Sequence, residues 1–81
     1  MRVRVLLFGR LHDLAGAREI GCEVAGPATV ASVWQAVTGR HPAVAPYAGS
    51  VSAAVNAEFA RMTDPVGEGD QVAFLPPVAG G

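Results

Sequence analysis

Residues 29–39, TVASVWQAVTG, form the segment of the sequence with the clearest helical period. Thr29 suits the N-cap position, because its hydroxyl can accept a hydrogen bond from a free amide of the first turn. The apolar residues that follow are spaced i, i+3, i+4 and i+7 and form a single stripe: Val30, Val33, Trp34 and Val37. Gly39 is the expected end of the helix, with Pro42 shortly beyond it. Since β-branched valines are poor helix formers, packing against a sheet must hold this helix in place.

On the N-terminal side of this helix, two segments alternate with the period of a β-strand. Residues 2–8, RVRVLLF, are the first, and residues 19–24 are the second. Alternation in the first segment assigns one face to Val3, Val5 and Leu7 and the other to Arg2, Arg4, Leu6 and Phe8. Residues 10–16 between the segments predict a short helical turn ended by glycine. We therefore expect a hairpin of two strands with an elaborated loop.

The C-terminal side of the helix predicts shorter strands separated by loops. In chain order the prediction is a loop over 41–50, a strand over 51–56, a turn at Asn56-Ala57, a return strand over 58–62, a loop over 63–70 and a final strand over 71–75. In the final strand, Val72 and Phe74 face one way and Leu75 the other. Pro76-Pro77 ends this strand, because proline has no amide hydrogen to donate to a neighbouring strand.

These elements predict one α+β domain, with a mixed sheet and one main helix packed on one of its faces. The 81 residues are enough for a single domain. We assign residues 1–76 to this domain and residues 77–81 to a C-terminal tail that ends in Gly-Gly.

Composition narrows the class of protein. Hydrophobic residues make up 51% of the sequence and charged residues 16%, which excludes an intrinsically disordered chain. The net charge is −1 with six scattered arginines and no lysine, so no basic stripe for nucleic acid is present. A single cysteine forms no internal disulfide, and neither a signal peptide nor a membrane span is recognisable. We expect a cytoplasmic protein that binds neither nucleic acid nor membrane.

The residues that usually carry catalysis are nearly absent. His12 and His41 have no partner ligands at metal-binding spacing, so we expect no metal site. Cys22 lies within a predicted strand and has no basic neighbour in sequence, which favours a small buried side chain over a reactive thiol. The chain by itself is therefore not expected to form an enzyme active site.

The C-terminal tail is the unusual feature of the sequence. Residues 76–81, PPVAGG, are uncharged and poor in side chains, and fully extended they reach about 20 Å. Because Gly80 and Gly81 carry no side chains, a narrow channel in another protein could enclose them closely.

Three motifs together resemble the small subunit of molybdopterin synthase, the sulfur carrier of molybdenum-cofactor synthesis. They are residues 69–81 (GDQVAFLPPVAGG), residues 53–56 (AAVN), and residues 4–8 (RVLLF) followed by residues 11–16 (LHDLAG). The resemblance covers essentially the whole chain and implies the ubiquitin-like β-grasp fold.

This resemblance also implies a mechanism. The carboxylate of Gly81 would be adenylated by an E1-like partner that uses ATP, and would then be converted to a thiocarboxylate with sulfur from a donor protein. Within the synthase, which the resemblance implies is a heterotetramer, the tail residues Val78, Ala79 and Gly80 would thread into the large subunit. Gly81 would there donate its sulfur to a cyclic pyranopterin phosphate. The chain itself would be a non-catalytic subunit with no permanently bound cofactor.

Strand alternation and the resemblance point to the same docking surface for these partners. Phe8 and Leu75 are predicted to project from the sheet face opposite the helix, and Phe59 on the short return strand could join them. The resemblance adds Pro76 and Pro77 to the residues expected to contact a partner.

Three other functions remain open. A thiamine-pathway sulfur carrier shares the Gly-Gly terminus and the fold, although residues 74–77 (FLPP) argue against it. A ubiquitin-like protein modifier would be conjugated to lysines of its targets. A plain interaction domain with an inert tail is the third possibility.

Overall fold

The computed structural model describes residues 1–77, which form a five-stranded mixed sheet, two α-helices, a 3₁₀ helix and a small second sheet. The elements in chain order are β1 (Arg2–Leu7), α1 (Gly9–Ala15), β2 (Glu19–Glu23), β3 (Ala28–Thr29), α2 (Val30–Arg40), the 3₁₀ helix (Pro42–Tyr47), β4 (Ser52–Val55), β5 (Glu58–Ala60), β6 (Pro65–Val66) and β7 (Gln71–Leu75). None of the helices in this part of the chain has the length and apolarity to cross a membrane.

The strands of the large sheet lie in the order β2-β1-β7-β4-β5. The first two strands form the predicted antiparallel hairpin, and β7 pairs in parallel with β1 and antiparallel with β4. The predicted inward-facing residues of β1 and β7 are all fully buried: Val3, Val5, Leu7, Val72 and Phe74. This strand order with one main helix on one face is the β-grasp arrangement, as predicted.

Helix α2 packs on the sheet through the predicted apolar stripe. Its four stripe residues are buried, and the ring of Trp34 meets the ring of Phe74 edge-on at 4.9 Å between centroids. Thr29 caps the helix as expected, since its hydroxyl accepts from the Ser32 amide while the Ser32 hydroxyl accepts from the Thr29 amide. The predicted end at Gly39 was one residue early. The helix runs to Arg40 because the backbone leaves the helical region only at the residue before Pro42.

Two predicted loops contain regular structure. The segment 41–50 includes the 3₁₀ helix, which Pro42 begins because its ring already holds the backbone angle that a helix needs. The segment 63–70 includes β6, which pairs with β3 just before α2. Strands of two residues carry too little alternation to be recognised in a sequence.

Strand β5 is shorter than the predicted range 58–62. After Ala60, the amide of Arg61 donates to the carboxylate of Asp64 at 2.9 Å, so that this amide bonds within its own loop. The turn before β5 is at Asn56-Ala57, as predicted, and both residues have positive φ, 50° and 72°. This is the backbone geometry of a two-residue hairpin turn.

The hairpin turn is joined to the start of β7 by a small polar network. The amide of Asn56 donates to the Gln71 carbonyl at 2.8 Å, and the Gln71 amide donates to the Asn56 side chain at 3.0 Å. The carboxylate of Asp70 accepts from the Gly67 amide at 2.7 Å and from the Asn56 side-chain amide at 3.1 Å. These two bonds, the Gly67 bond first, hold the pKa of Asp70 below its ordinary value of 3.8.

We predict that Asp70→Asn lowers the free energy of unfolding at pH 7 by about 0.5–1 kcal/mol. Asparagine keeps one side-chain oxygen, so it can accept from Gly67 or from Asn56 but not from both, and screening by water keeps the loss small. A carboxylate whose pKa is lowered by folding stabilises above its unfolded pKa, and that contribution disappears as the pH falls through the folded value. In urea unfolding, the difference in free energy of unfolding between wild type and variant should therefore become smaller below about pH 4. If this free-energy difference were constant from pH 7 to pH 3, the role given to the Asp70 charge would be contradicted.

Ala57→Gly should stabilise the domain by about 0.5–1 kcal/mol, because alanine at positive φ is strained and glycine is not. The matched control is Ala48→Gly, since Ala48 is exposed with an ordinary φ of −51° and gains no such relief. Urea midpoints of both variants provide the measurement, and a lower midpoint for Ala57→Gly would contradict the strain.

Candidate functional site

The C-terminal tail leaves the domain from the centre of the large sheet. Strand β7 is paired on both sides and ends at Leu75, and the amide of Phe8 still donates to the Phe74 carbonyl at 3.2 Å. Pro76 lies over Gly9, where an added Cβ would be only 3.0 Å from the proline ring and where φ is +54°. Pro76 is therefore half-buried against the start of α1, and Pro77 is exposed.

The predicted tail residues Val78, Ala79, Gly80 and Gly81 lie outside the described residues. Six residues separate the end of β7 from the C-terminus of the sequence, and their extended reach remains about 20 Å.

The sheet face opposite α2 carries an apolar zone beside the point where the tail leaves. The strand register aligns Leu6, Ala73, Ala54 and Phe59 across β1, β7, β4 and β5. Leu75 follows two residues further along β7, and Phe8 follows Leu6 on the same side of the chain. We call these six residues the apolar zone.

Exposure within the apolar zone supports its availability to a partner. The Phe59 side chain is 85% exposed and Phe8 is 40% exposed, and they are the large hydrophobic residues that are exposed in the described part of the chain. Leu75 is half-buried. Alternation predicts this face for Leu6, Phe8, Ala73 and Leu75. The register confirms that Phe59 joins them and adds Ala54.

The other end of the same face is charged. Arg2 pairs with Glu23 at 3.3 Å and Arg4 pairs with Glu19 at 3.1 Å, and all four side chains are more than half exposed. Such exposed pairs contribute little to stability. They divide the face into a charged zone near the start of β1 and the apolar zone near its end.

The remaining candidates for chemistry do not form a site. Cys22 is 2% exposed, and burial raises the pKa of its thiol even though the nearby Arg40 guanidinium acts in the opposite direction. Sequence reasoning could not identify Arg40 as a neighbour of Cys22, because the two residues meet only when α2 packs beside β2. Among residues 1–77, no group of three or more His, Cys, Asp or Glu side chains is placed to hold a metal ion.

The family model described as the ThiS family matches residues 5–81. The molybdopterin synthase sulfur carrier subunit of Escherichia coli is 34% identical over 83 residues, covering 98% of this chain and 99% of that protein. Small archaeal modifier protein 1 of Haloferax volcanii is 32% identical over 83 residues, covering 93% of this chain and 95% of that protein.

Structure comparison agrees with the sequence comparison. The crystal structure of SAMP1 from Haloferax volcanii superimposes with a TM-score of 0.90 at 30% identity, and the match covers 100% of both chains. In sequence, the match to the ThiS family model covers both the strands that carry the apolar zone and the tail that follows them. The chain therefore belongs to the ThiS family, and it has the ubiquitin-like β-grasp fold.

Proposed function

We propose that this protein is the sulfur carrier subunit of a molybdopterin synthase and that Gly81 carries the sulfur. The observation that supports this most directly is the full-length match, in which the ThiS family model extends through Gly81 and the Escherichia coli subunit aligns over 99% of its length. The proposal places the protein in the cytoplasm, together with the enzymes that load and unload it.

The chemistry begins with activation, because a carboxylate is a poor acyl donor. An oxygen of the Gly81 carboxylate attacks the α-phosphate of ATP on an E1-like enzyme, and pyrophosphate leaves. A hydrosulfide equivalent from a sulfur donor protein then attacks the acyl carbon. The new carbon–sulfur bond replaces the bond to AMP, which departs with its electron pair, and Gly81 now ends in a thiocarboxylate.

Transfer takes place in the large subunit, with a cyclic pyranopterin phosphate as the acceptor. The thiocarboxylate sulfur attacks a carbon of the pterin substrate, and the carbon–oxygen bond at that carbon breaks, with its electron pair leaving on the oxygen. Water then cleaves the acyl–sulfur bond, which leaves the sulfur on the pterin and restores the Gly81 carboxylate. A dithiolene needs two sulfur atoms, so two loaded carriers are consumed. The large subunit supplies the acid–base groups, while this chain supplies reach and positioning.

The apolar zone gives the proposal a docking surface. Phe8, Phe59 and Leu75 lie beside the start of the tail, so a partner that covers them also receives the tail. Pro76 and Pro77 restrict the backbone at that point, and a pre-ordered start lowers the entropy lost when Val78, Ala79 and Gly80 enter a channel.

Protein modification is the second candidate, and it is favoured by the 32% identity to a small archaeal modifier protein. Its first step is the same adenylation of Gly81. The acceptor is then the amine of a target lysine, which forms an amide bond as the activating group leaves. A thiamine-pathway carrier would share the thiocarboxylate and differ in its acceptor.

We predict that intact mass spectrometry of the native protein finds a fraction heavier than the unmodified chain by one sulfur-for-oxygen exchange at Gly81. Deleting Gly81, or adding one residue after it, should abolish both this species and molybdopterin formation while leaving the urea midpoint unchanged. Amide-linked adducts without any thiocarboxylate would favour the modifier. Full cofactor synthesis with a C-terminally extended chain would refute the proposal.

Phe59→Arg should weaken binding to the large subunit at least tenfold, because exposed aromatic anchors dominate affinity when an interface buries them. The melting temperature of the free domain should stay within about 2 °C of wild type, since the side chain is almost fully exposed. Gln35→Arg on the exposed side of α2 is the control, because it adds the same single positive charge. Calorimetric titration that gives equal affinities for wild type and Phe59→Arg would remove Phe59 from the interface.

A further inference from the structure

The large sheet has two edge strands in the described chain, β2 and β5, and they differ in how their outward backbone groups are satisfied. Just beyond the two ends of β2, Val24 exchanges backbone hydrogen bonds with Met1, and the Arg18 carbonyl accepts from the Leu7 amide. Since bonded and non-bonded pairs alternate in an antiparallel ladder, this register turns the Gly21 amide and carbonyl outward, away from β1.

The β2 edge is closed by the protein itself. The guanidinium of Arg40, at the end of α2, donates to the Gly21 carbonyl at 2.7 Å. Glu19 and Glu23 on either side of Gly21 place charges along the same edge, which is a common protection against strand addition.

In the described part of the chain, the β5 edge has one residue whose outward backbone amide and carbonyl are not hydrogen-bonded. The two-residue turn makes Val55 and Glu58 a bonded pair, so that Ala54 and Phe59 form the next, non-bonded pair. The Asn56 amide bonds to β7, and backbone groups that point the same way recur at every second residue of a strand. The Ala54 amide and carbonyl therefore also point toward β7, which supports this register. The Phe59 amide and carbonyl therefore point away from the sheet.

The neighbouring outward amide on this edge is already used, since Arg61 donates to Asp64. Beside β5 lies a groove of about 380 Å³, whose lining includes Glu58, Phe59, Asp64 and Pro65. The charged residues of its lining are the two acids, with no basic residue among them.

We propose that an extended segment of the partner that receives the tail pairs with β5 at Phe59 and adds a sixth strand to the sheet. This segment carries a basic side chain toward Glu58 and Asp64 and an apolar side chain against the Phe59 ring. Strand addition of this type derives affinity from main-chain bonds and specificity from the alternating side chains. The inference rests on the proposed function only for the identity of the partner.

The β5 edge belongs to the same sheet as β7, the strand that continues into the tail. Phe59 is at one end of the row that crosses the sheet to Ala73 on β7, and β7 continues into the tail. A strand added at β5 would therefore continue the same sheet from which the tail leaves, and would fix the orientation of the partner relative to Gly81.

The test uses full-length chains made by chemical synthesis and the large subunit encoded in the same genome. One chain contains N-methyl-phenylalanine at position 59, which keeps the ring and removes the amide hydrogen. The matched control contains N-methylglycine at position 21, on the closed edge. We expect the first to bind about tenfold more weakly, as the loss of one main-chain bond implies, and the control to bind like wild type.

Hydrogen exchange gives a second readout that does not alter the chain. In the complex, exchange of the Phe59 amide should slow at least tenfold, while exchange of the Gly21 amide should not change. Equal affinity for the chain N-methylated at Phe59, or an unprotected Phe59 amide in a stable complex, would overturn the inference and leave the proposed function intact. Failure of the wild-type chain to bind any large subunit would overturn both.

The charge of the groove is tested separately. Glu58→Arg should weaken binding several-fold more than Asp13→Arg, which makes the same charge change outside the groove, and the difference should shrink at high salt. Equal effects of the two variants would overturn the assignment of a basic side chain to the partner segment.

Discussion

The contact between Phe74 and Trp34 is the interaction on which the rest of the structure depends. Phe74 lies on the central strand of the sheet and is fully buried, and Trp34 is the largest side chain of the helix stripe. Their contact joins the two layers of a domain too small to bury much apolar surface elsewhere. By holding β7 between β1 and β4, it also places the start of the tail at the middle of the sheet.

Burying one face of β7 leaves the other face free to serve a partner. Because side chains alternate along a strand, residues 72–75 divide equally, with Val72 and Phe74 in the core and Ala73 and Leu75 on the open face. Ala73 is small and Leu75 is half-buried, so the open face is flat beside the end of β7, with Phe8 and Phe59 at its margins. Stability uses one side of these four residues, and the docking proposed above uses the other.

The two sheet edges show how a small domain can favour one mode of association. Arg40 and two glutamates close the β2 edge, whereas β5 is short and, among residues 1–77, leaves the outward backbone groups of Phe59 open. A short open edge presents too few main-chain groups for uncontrolled strand addition, which limits aggregation. For the partner segment proposed above, further contacts are available in the apolar zone, which runs from Phe59 on this edge across the sheet to β7.

Local sequence patterns are enough to predict the α+β class, the apolar stripe of α2, the alternation of β1 and β7, and the Asn56-Ala57 turn. These features depend on residues close together in the chain, so periodicity reports them directly. The early end of β5 depends on the bond from Arg61 to Asp64, only three residues away, which strand alternation does not report. Three-dimensional packing sets the pairing of β3 with β6 and the placement of Arg40 over the β2 edge, because both join segments distant in sequence. For the same reason, alternation could place Phe8 and Leu75 on the open face, but only the strand register could align Phe59 with them.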